Sequence, residues 1–348
     1  MKRIAVVTSD VPFVEGGHLV LARSAVRALR EAGHEAGLVL TPQNRFGRQF
    51  QAYLATRLTD VGLDGLDRPI DQVISMRFPS YAVKHPVHVC WLNHRLREYY
   101  DLWPALRAQL RPAGRLKEGL RRRLIHVLDT YLLKHNVRKV YALSGTVQAR
   151  LRRWGRIPAE VLYPPPPQRA YRTDGYEPFI FTVSRLQKIK RLDLLIEAFR
   201  LVKNKAVRAV IIGQGPEREA LQTRIREYGL DGRITLLGGT DEAAVVDHYA
   251  RCRAVFFCPY NEDYGFVTPE AFASGKAVLT SLDSGGPAEI VRDGETGYVV
   301  EPAPEAVAAK IDLLADDPGA AERLGRNALA ASASFSWETT VRRLTLEA

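Results

Sequence analysis

The second half of the sequence alternates short apolar runs with segments of helical periodicity, and this alternation restricts the fold more than any other feature. Runs that suit buried strands begin at Phe179, Val207, Ile234, Ala254 and Lys276, and a helix-like segment follows each of them. Consecutive parallel strands need a crossover connection, which is usually a helix. The pattern therefore predicts an open parallel sheet with helices on its faces.

The first half of the chain shows a less regular version of the same alternation. It begins with a predicted strand at Lys2–Ser9, a loop that ends at Gly16-Gly17, a predicted helix at His18–Ala32 and a strand at Glu35–Leu40. This order is typical of one half of a nucleotide-binding sheet. A Gly-Gly pair lets the backbone approach a ligand closely, although a tight turn explains the pair more simply. Further strands are predicted at Ile70–Phe78, Val87–Leu92, Val137–Ser144 and Ala159–Tyr163, and further helices at Asn44–Leu58 and Thr146–Trp154.

Four consecutive prolines, Pro164–Pro167, divide the two halves. Such a run stiffens the chain into an extended linker. We therefore expect an N-terminal Rossmann-like domain at 1–164, a linker at 165–176 and a C-terminal Rossmann-like domain at 177–335. A helical segment at 336–348 follows, and its packing against the first domain stays an open alternative.

The length and the cysteine content favour a two-domain protein of the cytosol. At 348 residues the chain is long enough for two cores. No apolar run approaches the ~20 residues of a membrane span, and the apolar start is too short for a signal peptide. Cys90, Cys252 and Cys258 lack a C-x-x-C spacing, which suits small core residues in a reducing compartment.

The positive charge lies in the first half of the chain. The formal net charge is +11, but residues 1–170 hold 28 Lys and Arg against 13 Asp and Glu, whereas the remainder holds 22 against 26. A basic half suggests an anionic partner, such as a membrane surface, an anionic glycolipid or nucleic acid. The charge does not choose among these partners.

The most basic segment, 107–135, interleaves cations with leucines. Pro112 and Gly114 interrupt it, so we expect its main helix to begin near Arg115. A basic amphipathic helix can lie on an anionic leaflet, and a solvated face on a packed helix is the alternative. Nucleic acid fits less well because no recognition motif accompanies the charge. The cations of the first part are Arg107, Arg111, Arg115, Lys117, Arg121, Arg122 and Arg123.

Two glutamates, Glu262 and Glu270, lie in a loop and short helix that follow the apolar run beginning at Ala254. Thr268 suits the cap of that helix, Pro269 its first position and Gly275 the residue after its end. The free amides at a helix start favour anions such as phosphate. Carboxylates beside a phosphate site suit the binding of hydroxyl groups, although each glutamate alone could be a solvated acid.

Two cations follow the first strand of the second half. Arg185 and Lys190 lie at the carboxyl end of that strand, where a ligand crevice is expected. Arg suits bidentate contact with phosphate, and Lys supplies a point charge. Because Lys188, Lys190 and Arg191 form a basic run, surface charge is the alternative interpretation. The chain contains no Asp-x-Asp motif, and its His and Cys residues show no metal-ligand spacing.

Three segments in this half together resemble a known family. Glu262 and Glu270, with Gly265-Phe266 between them, resemble the E-x7-E motif of retaining glycosyltransferases of the GT-B fold, and in particular family four (group 1). Ser184–Phe199 resembles its phosphate-binding strand end and helix, and Ser284–Gly297 its next loop and helix. The three matches cover most of residues 178–300, and the first half matches more loosely.

The resemblance implies a fold and an activity. The fold would be α/β in the GT-B architecture, with two Rossmann-like domains whose parallel sheets face a central cleft. The activity would be the metal-independent, retaining transfer of a hexose from a nucleotide diphosphate sugar, with no cofactor. The acceptor would be a glycan or a lipid-linked hydroxyl in the synthesis of cell-envelope polysaccharide or lipopolysaccharide. The location would be the cytoplasm, with a peripheral position on the inner face of the cell membrane as an alternative.

The resemblance also implies roles for single residues. Arg185 and Lys190 would bind the diphosphate and stabilise the leaving group. Glu262 would bind the donor sugar, and Glu270 the ribose hydroxyls. The amides that orient sugar and phosphate would be those near Gly265, Phe266, Val267 and Thr268.

The first half would supply the remaining contacts. Gly16 and Gly17 would approach the donor diphosphate from the other domain. His94, which follows the predicted strand Val87–Leu92, would touch the sugar near the acceptor. A structural role for this histidine is an equal alternative.

Three other classes of protein remain open. A glycosidase also uses paired carboxylates, but it needs no cations for a diphosphate. A sugar-nucleotide epimerase of the same fold would need no acceptor. A non-catalytic sugar-nucleotide sensor is the third, because a fold alone does not establish a function.

Overall fold

The computed structural model describes residues 1–10, 16–43 and 47–346. The chain divides into two compact units. The first unit contains Met1–Pro165 and Ser336–Ala348, and the second contains Pro166–Phe335. Each unit is built around its own parallel sheet.

The first unit has a six-stranded sheet in the order β2-β1-β3-β4-β5-β6. All of its strand pairs are parallel. The strands are β1 (Arg3–Asp10), β2 (Glu35–Pro42), β3 (Gln72–Ser75), β4 (His88–Leu92), β5 (Lys139–Ala142) and β6 (Glu160–Val161). The helices are α1 (Gly17–Glu31), α2 (Gln49–Leu58), α3 (Trp103–Gln109), α4 (Pro112–His135) and α5 (Gly145–Arg153).

The second unit has a six-stranded parallel sheet in the order β12-β11-β10-β7-β8-β9. Its strands are β7 (Glu177–Val183), β8 (Arg208–Ile212), β9 (Ile234–Gly238), β10 (Cys252–Phe256), β11 (Val278–Ser281) and β12 (Gly297–Val300). Its helices are α6 (Leu192–Leu201), α7 (Arg218–Glu227), α8 (Glu242–Arg251), α9 (Val267–Ala273), α10 (Gly286–Ile290), α11 (Pro304–Asp316) and α12 (Pro318–Ser332). A last helix, α13 (Trp337–Leu344), belongs to the first unit.

Strand order in the second sheet reverses between β7 and β10. The chain first builds outward from β7 to β8 and β9, and then returns to place β10 on the other side of β7. In open α/β sheets, ligands bind outside the carboxyl ends of the two strands at such a reversal. The loops after β7 and β10 are therefore the expected ligand-binding region of the second unit.

Burial on both faces explains why the central strands have unbroken apolar sequences. All five residues of β10 are buried, and Phe181 of β7 and Phe256 of β10 are less than 2 % exposed. A parallel sheet covered by helices on both sides has no solvent-facing side to make polar. The predicted fold class, α/β with two parallel sheets, is confirmed by these two units.

The predicted start of the basic helix is wrong. Helix α4 begins at Pro112 and not near Arg115, and Gly114 lies inside it. Proline is tolerated in the first helical turn because the N–H that it lacks would have no intrahelical acceptor there. The break in the segment lies between Gln109, where α3 ends, and Pro112.

Helix α13 is fixed to the first sheet by aromatic packing and hydrogen bonds. The Trp337 ring meets the buried Trp91 ring edge to face, with centroids 6.2 Å apart. Gln72 Nε2 donates to the carbonyl of Leu344 at 2.6 Å. The C-terminal segment therefore belongs to the first unit, although the second unit lies between that segment and the rest of the first unit in the sequence.

Candidate active site

Glycines hold the loop that carries Arg185 against the neighbouring strand end. The Ser184 amide donates to Ile212 O at 3.0 Å, and the Leu186 amide donates to Gln214 O at 2.9 Å. A Cβ atom on Gly213 would lie 1.8 Å from Ser184 O, so no side chain fits there. Arg185 is exposed, and among the residues that the structure describes none forms an ion pair with its guanidinium.

The loop after β10 is held in a similar way, by the loop after β11. The Glu262 amide donates to Ser284 O at 2.8 Å, and the Gly286 amide donates to Glu262 O at 3.0 Å. A Cβ atom on Gly285 would lie 2.5 Å from Glu262 O. The Ser-Gly-Gly sequence at 284–286 therefore allows two backbones to pair and fixes the position of Glu262.

The sequence interpretation missed a residue that fixes these loops, Arg191. Its guanidinium donates to the carbonyls of Cys258 and Pro259 at 3.0 and 2.9 Å. It also contacts both carboxylate oxygens of Asp283, at 3.0 and 2.6 Å. Arg191 thus ties the loops after β10 and β11 to the start of α6. In the sequence it looked like surface charge, and only its distant partners reveal this role.

Two of the predicted site residues are in direct contact. Lys190 Nζ lies 2.6 Å from Glu262 Oε2, and the two side chains are 12 % and 19 % exposed. The ammonium also lies 5.7 Å from the centre of the Phe257 ring. The contact joins a cation expected to bind phosphate to a carboxylate expected to bind the sugar, at the reversal of strand order.

Glu270 is buried and has several donors around it. Its exposure is 5 %. Arg169 Nη1 contacts Oε1 at 2.7 Å, the Tyr171 hydroxyl donates to Oε1 at 3.3 Å, and the Tyr249 hydroxyl donates to Oε2 at 2.9 Å. Burial raises the pKa of Glu270, and the charge of Arg169 opposes that rise.

The start of α9 differs from the prediction. Its cap is Phe266, so Thr268 is the second helical residue and Pro269 the third. The Thr268 hydroxyl does not cap the helix; it is buried and has no hydrogen-bond partner in the described part of the chain. The prediction for Gly275 is confirmed, since it follows the cap residue Ser274 with φ +65°.

Three amides at this helix start have no backbone acceptor in the described part of the chain. They are the amides of Gly265, Phe266 and Val267. A Cβ atom on Gly265, where φ is +79°, would lie 2.3 Å from the Phe257 ring. Glycine is therefore required at this turn, which presents the amides between Glu262 and Glu270.

The remaining predicted site residues belong to the first unit. Gly16 caps α1, and Gly17 is its first residue, while the preceding residues 11–15 lie outside the described part. His94 follows β4, and its Nδ1 lies 2.8 Å from Arg95 O. The structure thus brings Lys190 and Glu262 together in the second unit, whereas His94, Gly16 and Gly17 lie in the other unit.

A small cavity adjoins His94. Its empty volume is about 270 Å³. Arg97 Nη2 lies 2.6 Å from Asp101 Oδ2, and Arg150 Nη2 lies 3.5 Å from the same oxygen. Arg97, Asp101 and Arg150 are therefore engaged with one another beside this cavity.

The second unit matches a family model. Residues 168–330 match the model described as Glycosyl transferases group 1. The matched range contains Arg185, Lys190, Glu262 and Glu270.

Curated relatives align with about half of this chain. A D-inositol 3-phosphate glycosyltransferase of Nocardia farcinica is 34 % identical over 179 residues, which is 48 % of this chain and 39 % of that protein. The alpha-1,3/1,6-mannosyltransferase ALG2 of Dictyostelium discoideum is 25 % identical over 43 % of this chain and 40 % of its own length. The alignments therefore take in about two fifths of each relative.

Solved structures match over the whole chain. Sucrose-phosphate synthase from Thermosynechococcus elongatus has a TM-score of 0.77 at 18 % identity and covers 99 % of this chain and 98 % of that one. The lipopolysaccharide glycosyltransferase WaaG has a TM-score of 0.71 at 15 % identity and covers 98 % and 99 %. Anabaena HepE in complex with UDP and glucose has a TM-score of 0.69 at 16 % identity and covers 98 % of both chains. These similarities show a GT-B-like fold.

Proposed function

We propose that this protein is a retaining glycosyltransferase of family four that transfers a hexose from a nucleotide diphosphate sugar to a hydroxyl of a glycan or glycolipid. The contact between Lys190 and Glu262 carries the proposal, because it joins a cation suited to phosphate and an acid suited to hydroxyls at the reversal of strand order, where open parallel sheets bind ligands. The match of residues 168–330 to the glycosyltransferase model supports it.

In this proposal, fixed cations stabilise the leaving group. Breaking the bond between the anomeric carbon and the diphosphate oxygen leaves negative charge on the diphosphate. Arg185, which is exposed and has no ion-pair partner among the described residues, binds that charge together with Lys190. Lys190 then divides its charge between the diphosphate and Glu262.

The remaining residues orient the donor. Glu262 accepts hydrogen bonds from hydroxyls of the sugar, and Glu270 accepts them from the ribose. The amides of Gly265, Phe266 and Val267 donate to sugar and phosphate. The acceptor oxygen attacks the anomeric carbon from the face that the diphosphate leaves, and a diphosphate oxygen takes the acceptor proton. One carbon–oxygen bond forms as another breaks, and the anomeric configuration is retained.

The donor and the pathway are part of the proposal. The names of relatives mention inositol phosphate and mannose transfer, and the neighbour HepE binds UDP and glucose. The neighbour WaaG acts in lipopolysaccharide synthesis. We propose a role of this protein in the synthesis of cell-envelope polysaccharide or lipopolysaccharide, with no metal ion or other cofactor taking part.

We also propose that the protein works at the anionic inner face of the cell membrane, bound through α4. This helix exposes an apolar stripe with side chains spaced by three or four positions, which on a helix lie on one face. The stripe consists of Leu116, Leu120, Leu124, Val127 and Tyr131, which are 80 %, 60 %, 49 %, 69 % and 61 % exposed. Exposed cations adjoin it at Arg115, Lys117, Arg123 and Lys134.

The acidic residues of α4 do not weaken this surface. Glu118 and Asp129, its two acids, are buried. Glu118 accepts from the Tyr99 hydroxyl at 2.8 Å and pairs with Arg121, and Asp129 accepts from the Tyr100 hydroxyl at 2.7 Å. The exposed face therefore combines cations with apolar side chains, as membrane-surface helices do. Across the described residues, no helix has the length and apolarity to cross a bilayer.

The function is tested by donor binding and turnover together. ADP, GDP and UDP are screened for an increase in melting temperature, since a ligand of the native state stabilises it. The sugar derivatives of the binding nucleotide are then incubated with and without hydroxyl acceptors, in EDTA, and the product anomer is read by NMR. We expect transfer with retained configuration in EDTA. An isomerised sugar formed without acceptor would indicate an epimerase. Binding of the nucleotide sugar without any reaction would indicate a sensor. Either result would contradict the proposal.

A further inference from the structure

Arg169, which the donor chemistry above does not use, bridges two carboxylates beside the candidate site. The residue follows the proline run, and its guanidinium contacts Glu270 Oε1 through Nη1 and Glu242 Oε1 through Nη2, both at 2.7 Å. The side chain of Glu270 is 7 % exposed, whereas that of Glu242 is 71 % exposed. The contact between Arg169 and Glu270 is therefore shielded from water, and the lower local dielectric strengthens the attraction between the two charges.

The groups that face Glu270 come from two elements. Arg169 and Tyr171 come from the segment before β7, and Tyr249 comes from α8. Glu242, also on α8, lies behind Arg169. Arg169 is the one cation in this set, and its charge acts together with the two tyrosine hydroxyls to offset the cost of burying the Glu270 charge.

The ionised state of Glu270 decides what it can bind. An ionised carboxylate offers about four acceptor positions, and a protonated one offers fewer and adds a donor. Arg169, Tyr171 and Tyr249 occupy three of these positions. A ribose hydroxyl can therefore donate to the remaining acceptor position of the ionised carboxylate. On the protonated carboxyl group it would compete with Arg169 and the two tyrosines for fewer positions.

We propose that Arg169 is a positioning residue for the donor, which keeps the Glu270 carboxylate charged and oriented for the ribose. This inference rests on the proposed function, since the ribose contact of Glu270 is part of it. Arg169 acts through Glu270 and needs no contact with the ligand.

The proposal gives a signed pH dependence. Burial already raises the pKa of Glu270, and Arg169 opposes the rise. In Arg169→Gln the opposing charge is gone, so the pKa rises further. Nucleotide affinity in that variant should therefore fall as the pH is lowered from about 8.5 to about 5.5, more steeply than in the wild type.

The test is calorimetric titration of the full chain with whichever of ADP, GDP and UDP binds the wild type. Dissociation constants are compared as the ratio of variant to wild type at each pH, because the titration of the phosphate itself cancels in that ratio. For Arg169→Gln we expect a ratio of about ten or more near neutral pH that grows as the pH falls. Arg169→Lys keeps the charge and should show a ratio that stays nearly constant.

A neighbouring arginine supplies the control. Arg172 lies three positions further on and pairs with Asp174 and Asp247, and its side chain is 46 % exposed. Arg172→Gln should keep a ratio near one at every pH.

The outcomes separate the two proposals. A ratio for folded Arg169→Gln that does not change with pH would overturn the role of Arg169. If Arg169→Gln does not fold, Arg169→Lys decides, because a ratio that grows as the pH falls despite the retained charge would also overturn it. Failure of the wild type to bind all three nucleotides would instead overturn the proposed function itself.

Discussion

At the scale of single residues, the two predicted phosphate cations lie in different surroundings. Arg185 is exposed and unpaired within the described residues, whereas Lys190 contacts Glu262. An unpaired cation on a loop fixed by Gly213 stabilises little in the ligand-free protein, and the proposed function assigns it to the donor diphosphate. Lys190 has a partner, and its removal also leaves the mostly buried Glu262 carboxylate without its cation.

Arg185→Ala and Lys190→Ala should each weaken donor binding and lower turnover without unfolding the protein. Each lost charge-assisted hydrogen bond corresponds to roughly 1.5–3 kcal/mol, or about 10- to 100-fold in affinity. Lys188→Ala, which removes an exposed cation of the same basic run, is the control and should bind the donor like the wild type. Normal kinetics in both site variants, with unchanged melting curves, would remove these residues from the site.

His94→Ala should reduce transfer far more than it reduces nucleotide diphosphate affinity. The residue follows β4 at the carboxyl end of a parallel sheet, and an imidazole can share a hydroxyl proton near neutral pH. The measurement pairs initial transfer rates with calorimetry of the free nucleotide. An equal loss in both, or a loss of folding, would return His94 to a structural role.

The residues found from sequence and those missed differ in where their partners lie. Glu262, Glu270, Arg185 and Lys190 were predicted from their places at strand ends and a helix start, together with the resemblance of their segments to a known family. The role of Arg191 depends on Asp283, 92 positions away, which a sequence pattern does not reveal. The same is true of Arg169, whose contact with Glu270 spans 101 positions.

At the scale of elements, α4 buries its acidic side chains and exposes its apolar stripe. Asp129 accepts hydrogen bonds from Tyr53, Tyr81 and Tyr100, which lie on other parts of the first unit. These contacts fix the rotation of the helix about its axis. Leu120 and Leu124 must then face solvent, since they lie on the opposite side from the buried Ile125 and Asp129.

The protein should bind anionic vesicles through α4, and more weakly at high salt because exposed charges are screened. The triple variant Arg115→Gln/Lys117→Gln/Arg123→Gln should lose most of this binding in a flotation assay. An equal change of charge on α7, Arg218→Gln/Arg224→Gln/Arg226→Gln, should leave it intact. Equal flotation of the wild type with neutral and anionic vesicles, or none with either, would contradict the membrane proposal.

At the scale of the whole molecule, the alternation of apolar and helical segments predicted both parallel sheets, because each strand and helix is specified by local periodicity. The start of α4 was predicted wrongly because Pro112 was taken as a break where the first helical turn accepts it. The order β12-β11-β10-β7-β8-β9 could not be derived from periodicity, since pairing between strands depends on distant segments. That order is what brings the loops of Arg185 and Glu262 to adjacent strands.

In the proposed function, the second unit binds a nucleotide diphosphate sugar with Glu270 at the ribose and Glu262 at the sugar. Calorimetric titration of Glu270→Gln and Glu262→Gln, each with the free nucleotide diphosphate and with the nucleotide sugar, tests this placement most directly. Glu270→Gln should weaken both ligands, by roughly 1.5–3 kcal/mol. Glu262→Gln should weaken the nucleotide sugar alone and leave the free nucleotide nearly unchanged or slightly tighter, because Lys190 is released from its pair. The same pattern in both variants would contradict the placement of the ligand along the motif.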